Sequence, residues 1–143
     1  MTKAPRPRLL ALGGLVSLAV AMGVGRFVYT PILPFMLTAL PLSEREAGFI
    51  ASANFVGYLA GALLASAPAL PGSRRFWLLS ALALSAVTTM AVGAGTAVLT
   101  ILLLRFVGGL ASAFVLVFAS TLILERLAVL KRGSLSALHF AGV

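Results

Sequence analysis

Two arginines stand where arginine is costly. Arg26 separates residues 9–24 from residues 27–43, two stretches without a charge, and Arg105 alone interrupts the apolar run 97–124. An ionised arginine near the middle of a bilayer costs a few kcal/mol on insertion scales, so it turns towards a protein interior or a wet cavity. Its guanidinium offers five donors in a planar fork suited to a carboxylate or an amide. The chemistry on offer is recognition of an anionic or hydrogen-bonding solute. Tyr29 and Thr30 follow Arg26 at the same depth, and Asn54 and Tyr58, four residues apart, share one helical face. These six residues are the candidates for a substrate cavity or a coupling site. Asn54 has a second reading, as a hydrogen bond between helices. Arg26 has one too, as a side chain snorkelling to the outer interface, but the apolar run beyond it favours the cavity.

Bond-breaking chemistry has little material. The chain has three acids (Glu44, Glu46 and Glu125), one histidine and no cysteine. No nucleophile–base pair or metal-ligand cluster can be assembled from them, so neither an enzyme nor a metal or other cofactor is expected. No acid falls within an apolar run, and no proton carrier is identifiable. His139 reads as a structural group rather than a relay. The two membrane arginines therefore leave open an anionic or hydrogen-bonding ligand, or acids on helices beyond these.

The elements that would hold these residues are membrane helices. Of the 143 residues, 61% are hydrophobic and only 10% charged, against about a quarter charged in a soluble domain. A span takes about 20 apolar residues. The expected helices are 9–40, bent near Pro31 and Pro34; 44–67; 76–92; 97–124; and an incomplete 134–143. Ser43 with Glu46 forms a capping-box pattern at the start of the second. Pro68 to Arg75 holds strong breakers, 93–96 is a tight turn, and 125–133 reads as a charged loop. Lys3, Arg6 and Arg8 ahead of Ala19-Val20-Ala21 imitate a cleavable leader, but residues 22–42 stay apolar where a mature start would be polar, so this is read as the first span. With a cytoplasmic amino terminus, eight basic residues fall inside and Arg45 alone outside. That distribution predicts amino-terminus-in topology. It also explains the net charge of +8 without nucleic acid. Helix contacts are expected where residues are small: Gly57, Gly61, Gly109 and Ala113. Residues 134–143 would cover about 15 Å, half a bilayer, which suggests the front piece of a longer protein.

The run Ile101-Leu-Leu-Leu-Arg105-Phe-Val-Gly108-Gly109-Leu-Ala-Ser-Ala113 resembles the fourth-helix motif of major facilitator superfamily transporters. Residues 23–34, with Asn54-Phe-Val-Gly57-Tyr58-Leu-Ala-Gly61, are similar to the YbfB/YjiJ-type branch of that superfamily. One departure is plain. The superfamily's aspartate between helices two and three is replaced by Ala65, four residues after Gly61, and only Gly72, Arg74 and Arg75 echo the rest of that pattern. The carboxylate on which a loop latch would rest is absent.

The resemblance implies an all-α membrane protein: four transmembrane helices plus the start of a fifth, within the amino-terminal six-helix half of a twelve-helix fold. It implies secondary transport of a small solute by alternating access across a bacterial inner membrane, with this piece inactive without the missing carboxy-terminal helices. The rival reading is a small four-helix protein acting as an oligomeric channel or complex subunit. A stable oligomer of the short chain would distinguish it.

Overall fold

The computed structural model describes residues 7–67 and 70–143. Lys3 and Arg6 of the basic amino terminus, and Pro68 and Ala69 of the second loop, lie outside the described residues. Among those described, the chain is helical and holds no strand. Four helices are long and apolar enough to cross a membrane: α1 Pro7–Ala39, α2 Glu44–Ala65, α3 Arg74–Val92 and α4 Val98–Val129. The chain is an all-α, multi-pass membrane protein.

The first helix departs from expectation. It is not one helix bent at its prolines. A regular segment, Pro7–Leu18, passes into a π-helical turn over Ala19–Val24, then a short α segment Gly25–Phe27. The ladder breaks at Val28 and resumes over Tyr29–Ala39. Pro31 has no N–H to offer the Phe27 carbonyl, and its ring crowds that carbonyl, so the disturbance falls upstream of the proline. Pro34 is accommodated inside the resumed helix.

The other boundaries follow from local chemistry. At α2, the Glu46 N–H donates to Ser43 Oγ (3.2 Å) and the Ser43 N–H donates to Glu46 Oε2 (2.8 Å), the reciprocal pair of a capping box. The third helix starts at Arg74, two residues before expected, because Ser73 Oγ accepts from the Phe76 N–H at 3.2 Å. Trp77 Nε1 donates to the Pro71 carbonyl at 2.9 Å and holds the loop against the helix. Residues 125–129 are helical, not loop. Glu, Arg, Leu and Ala propagate a helix, and no breaker intervenes before Gly133. A span of 32 residues exceeds the roughly 20 a bilayer needs. The extra turns carry Glu125 out to pair with Arg74 at the start of α3. The tail forms a 3₁₀ turn, Gly133–Leu135, and a five-residue helix, α5 Ser136–Phe140, where a longer helical run over 134–143 is the sequence expectation.

Helix α4 is the centre of the bundle. Over half of its most apolar window is buried, 56% against 17% for α3. One apolar cluster joins Leu18 and Ala21 of α1, Ala65 of α2, Ala81 of α3 and Phe114, Val115, Phe118 and Ala119 of α4. A second joins Tyr29, Met36, Ile50 and Ile101. Large apolar residues such as Leu59, Leu63, Leu79 and Leu103 face outwards, as they must where the surroundings are hydrocarbon.

Candidate functional site

Helices α2 and α4 meet backbone to backbone. A Cβ at Gly57 would lie 2.8 Å from the Phe106 carbonyl carbon, and one at Gly61 would lie 2.6 Å from the Leu110 oxygen. From the other side, a Cβ at Gly109 would lie 2.9 Å from the Asn54 carbonyl carbon. Ala113 completes the seam, its Cβ 3.0 Å from the position a Gly61 Cβ would take. Asn54 belongs to the same seam. It is 1% exposed, and its Nδ2 donates to the Arg105 carbonyl at 3.0 Å, while its Oδ1 has no partner. The amide thus ties the two helices together at the backbone of Arg105 itself.

From that seam the Arg105 side chain points towards α1. The side chain is 7% exposed and reaches across to the break in α1. Its Nη1 donates to the Gly25 carbonyl and its Nη2 to the Arg26 carbonyl, both at 3.2 Å. Its Cζ lies 4.8 Å from the centre of the Tyr29 ring. A helix that interrupts its own ladder in a membrane must satisfy its carbonyls elsewhere. The guanidinium fork does so for two consecutive carbonyls and receives in return the partial negative charge that a buried cation needs. Tyr29 is itself fixed, donating its hydroxyl to the Ala47 carbonyl of α2 at 3.0 Å. Arg105 Nε has no partner.

A cavity of about 380 Å³ opens beside this group. Tyr29 and Arg105 line it, with Val28, Met36, Thr89 and the 93–96 turn among the other walls. The remaining candidates stand elsewhere. Arg26 is half-buried on the α2 side, its Cζ 4.8 Å from the Phe55 ring centre and 4.6 Å from that of Tyr58, a cation–π arrangement. Its Nε is buried without a partner. Thr30 is exposed, and Asn54 lies in the α2–α4 seam. So Tyr29 and Arg105 share the cavity, Arg26 and Tyr58 pair outside its lining, and Thr30 joins neither.

The sequence reading passed over one group. Ser85, Thr88 and Thr89 of α3 form a small polar stripe facing the α1 break and α4. Ser85 Oγ sits 2.7 Å from where a Gly25 Cβ would be, and Thr88 Oγ1 3.2 Å from a Gly108 Cβ. Ser85 and Thr88 are buried. Their spacing of three and four residues within an apolar run was the available signal.

Among the described residues no group of three or more His, Asp or Glu side chains is placed to hold a metal. A family model described as Uncharacterised MFS-type transporter YbfB matches residues 18–143. No curated protein and no solved structure matches the chain.

Proposed function

The chain belongs to the YbfB-type family of major facilitator transporters, and from that premise we propose that it is part of a secondary active transporter that moves a small solute across the inner membrane by alternating access. The observation that carries this reading is Arg105, a buried cation bound to the carbonyls of a broken helix at the edge of a cavity. A packing role alone needs no free donor there. A guanidinium has five N–H groups, and the α1 carbonyls accept from two of its nitrogens.

A solute bearing a carboxylate or another strong acceptor, entering beside Tyr29, would compete with Gly25 and Arg26 for the fork. A carboxylate offers the fork a full negative charge and two oxygens in parallel where each carbonyl offers a partial charge and one, so the exchange favours the anion. Releasing those carbonyls frees the α1 break to change its bend. Occupancy is thereby coupled to the geometry of a helix that borders the cavity, which alternating access requires. Tyr29, held by Ala47, would orient the solute. Arg26, braced on Phe55 and Tyr58, would supply a second positive centre on the α2 side.

Alternating access also needs two facing halves that rock about a central site. Helices α1 to α4 supply part of one half, so residues 1–143 alone are expected to move no solute. The amino terminus is taken as cytoplasmic from the distribution of basic residues.

Residues 1–143 contain no cysteine. In the complete transporter, with any cysteine beyond residue 143 replaced, Thr89→Cys at the cavity wall should react with an impermeant maleimide, and its rate should fall when a transported solute saturates the site. A Thr89 cysteine that stays inert from both faces of the membrane would remove the cavity from the transport path.

A further inference from the structure

The end of the bundle that holds the start of α1 gathers positive charge that the chain does not balance. Arg8, Arg126, Lys131 and Arg132 all lie there. The sequence has only three acidic side chains. Glu44 and Glu46 begin α2 at the opposite end, and Glu125 is bonded to Arg74. Among residues 1–143 no further acidic side chain is left to pair with the other cations.

The backbone brings two of them to one place. Helix α4 ends with the Lys131 N–H on the Ala128 carbonyl (3.0 Å) and the Arg132 N–H on the Leu127 carbonyl (2.9 Å). Lys131 has φ 53, a left-handed conformation that costs most L residues about 1–2 kcal/mol and is usually given to glycine. The reversal sets the 3₁₀ turn Gly133–Leu135 beside the first turn of α1. Between them lies a cavity of about 630 Å³ lined by Pro7, Arg8, Leu9, Arg132, Ser134 and Leu135. Its size is within the range of ordinary small-ligand pockets. Arg8, Arg132 and Ser134 border one shared space, with Pro7, Leu9 and Leu135 as apolar walls.

We propose that this cavity binds the phosphate of an anionic lipid headgroup. The chemistry it offers is that of a phosphate site: two arginine forks and a serine hydroxyl around one volume. The source is lipid rather than free phosphate because of depth. The site sits where the apolar run 9–24 begins, at headgroup level, and its apolar residues lie where the glycerol and first methylenes of a lipid would run. Basic pockets between membrane helices at one face of a bilayer hold anionic headgroups in this way. The phosphate supplies a counter-charge for Arg8 and Arg132, and it stabilises the reversal at Lys131.

The test is a titration of the full chain in neutral detergent with phosphatidylglycerol, read by native mass spectrometry. A saturable single adduct is expected, with phosphatidylcholine binding far more weakly. Arg8→Gln with Arg132→Gln should weaken the adduct on the order of 10- to 30-fold. Arg45→Gln with Arg75→Gln removes the same charge away from the cavity and should leave the affinity within a few-fold. Should the double glutamine variant fail to fold, the single variants Arg8→Gln and Arg132→Gln carry the test, each expected to weaken the adduct about 5-fold. Equal loss in the matched control, equal binding of phosphatidylcholine, or native affinity in the glutamine variants would overturn the proposal. Displacement of the lipid by millimolar inorganic phosphate would also overturn it, by making the site one for a free anion.

Discussion

A single methyl group at Gly57 should loosen the whole bundle. In Gly57→Ala the added carbon would lie 2.8 Å from the Phe106 carbonyl carbon, 3.0 Å from its Cα and closer still to its oxygen. Ordinary contact begins at 3.4 Å. The obstacle is backbone, so no side chain can swing away, and α2 and α4 must part by roughly an ångström at this level. The Asn54 Nδ2 to Arg105 carbonyl bond, 3.0 Å and one turn away, stretches towards loss. Overpacking of this kind costs about 1–3 kcal/mol, and a polar bond between membrane helices about 0.6 kcal/mol, rarely more than 1.7. The sum is about 2–4 kcal/mol, or a fall in melting temperature on the order of 10 °C. The assay is thermal aggregation of detergent-extracted protein followed by gel-filtration recovery. Gly48→Ala, where nothing lies within 4 Å of the new carbon, is the internal control and should be neutral within about 1 kcal/mol. Gly57→Ala with Gly109→Ala should cost less than the two singly, since the first substitution already opens the seam. A Gly57→Ala variant as stable as Gly48→Ala would refute the close-packed α2–α4 seam.

Further expectations concern topology and the α4 terminus. In intact cells a cysteine at Ser43 should react with an impermeant thiol reagent, whereas one at Ser73 should react only after the cytoplasmic side is opened; the reverse pattern would invert the orientation. Lys131→Gly should raise stability by about 1 kcal/mol by removing the left-handed penalty, and a loss of stability in the same melting assay would contradict the strained reversal.

The spans were legible because hydrocarbon leaves little choice: long apolar runs, breakers at 68–75 and 93–96, and the Ser43–Glu46 box each act locally. The shape of α1 was not. Pro31 and Pro34 announce a disturbance, but a proline perturbs the turn before it, and only packing decides whether the ladder bends or breaks. It breaks at Val28 because Arg105, nearly 80 positions along the chain, is there to take up the carbonyls. The end of α4 was missed for a related reason. Charged residues at 125–132 look like loop, yet Leu127 is 1% exposed and Arg74 waits for Glu125. Small residues were readable as contacts, whereas their partners were not. The same holds for the site: residue type singled out Arg26 and Arg105, but the fold directs one to aromatic rings on α2 and the other to a cavity. The stripe at Ser85, Thr88 and Thr89 was hidden because short hydroxyl side chains in membrane helices usually bond their own backbone, as Thr88 and Thr89 also do here.

The most direct measurement compares membrane abundance with solute flux for Arg105→Lys in the transporter. Lysine keeps the charge but cannot span two carbonyls with a planar fork while presenting further donors to the cavity. Near-native abundance with flux reduced at least about 10-fold, the equivalent of about 1.4 kcal/mol, is the expected result, with Arg26→Lys milder. An Arg105→Lys transporter that is abundant and fully active would contradict the assignment of the fork at the α1 break to transport.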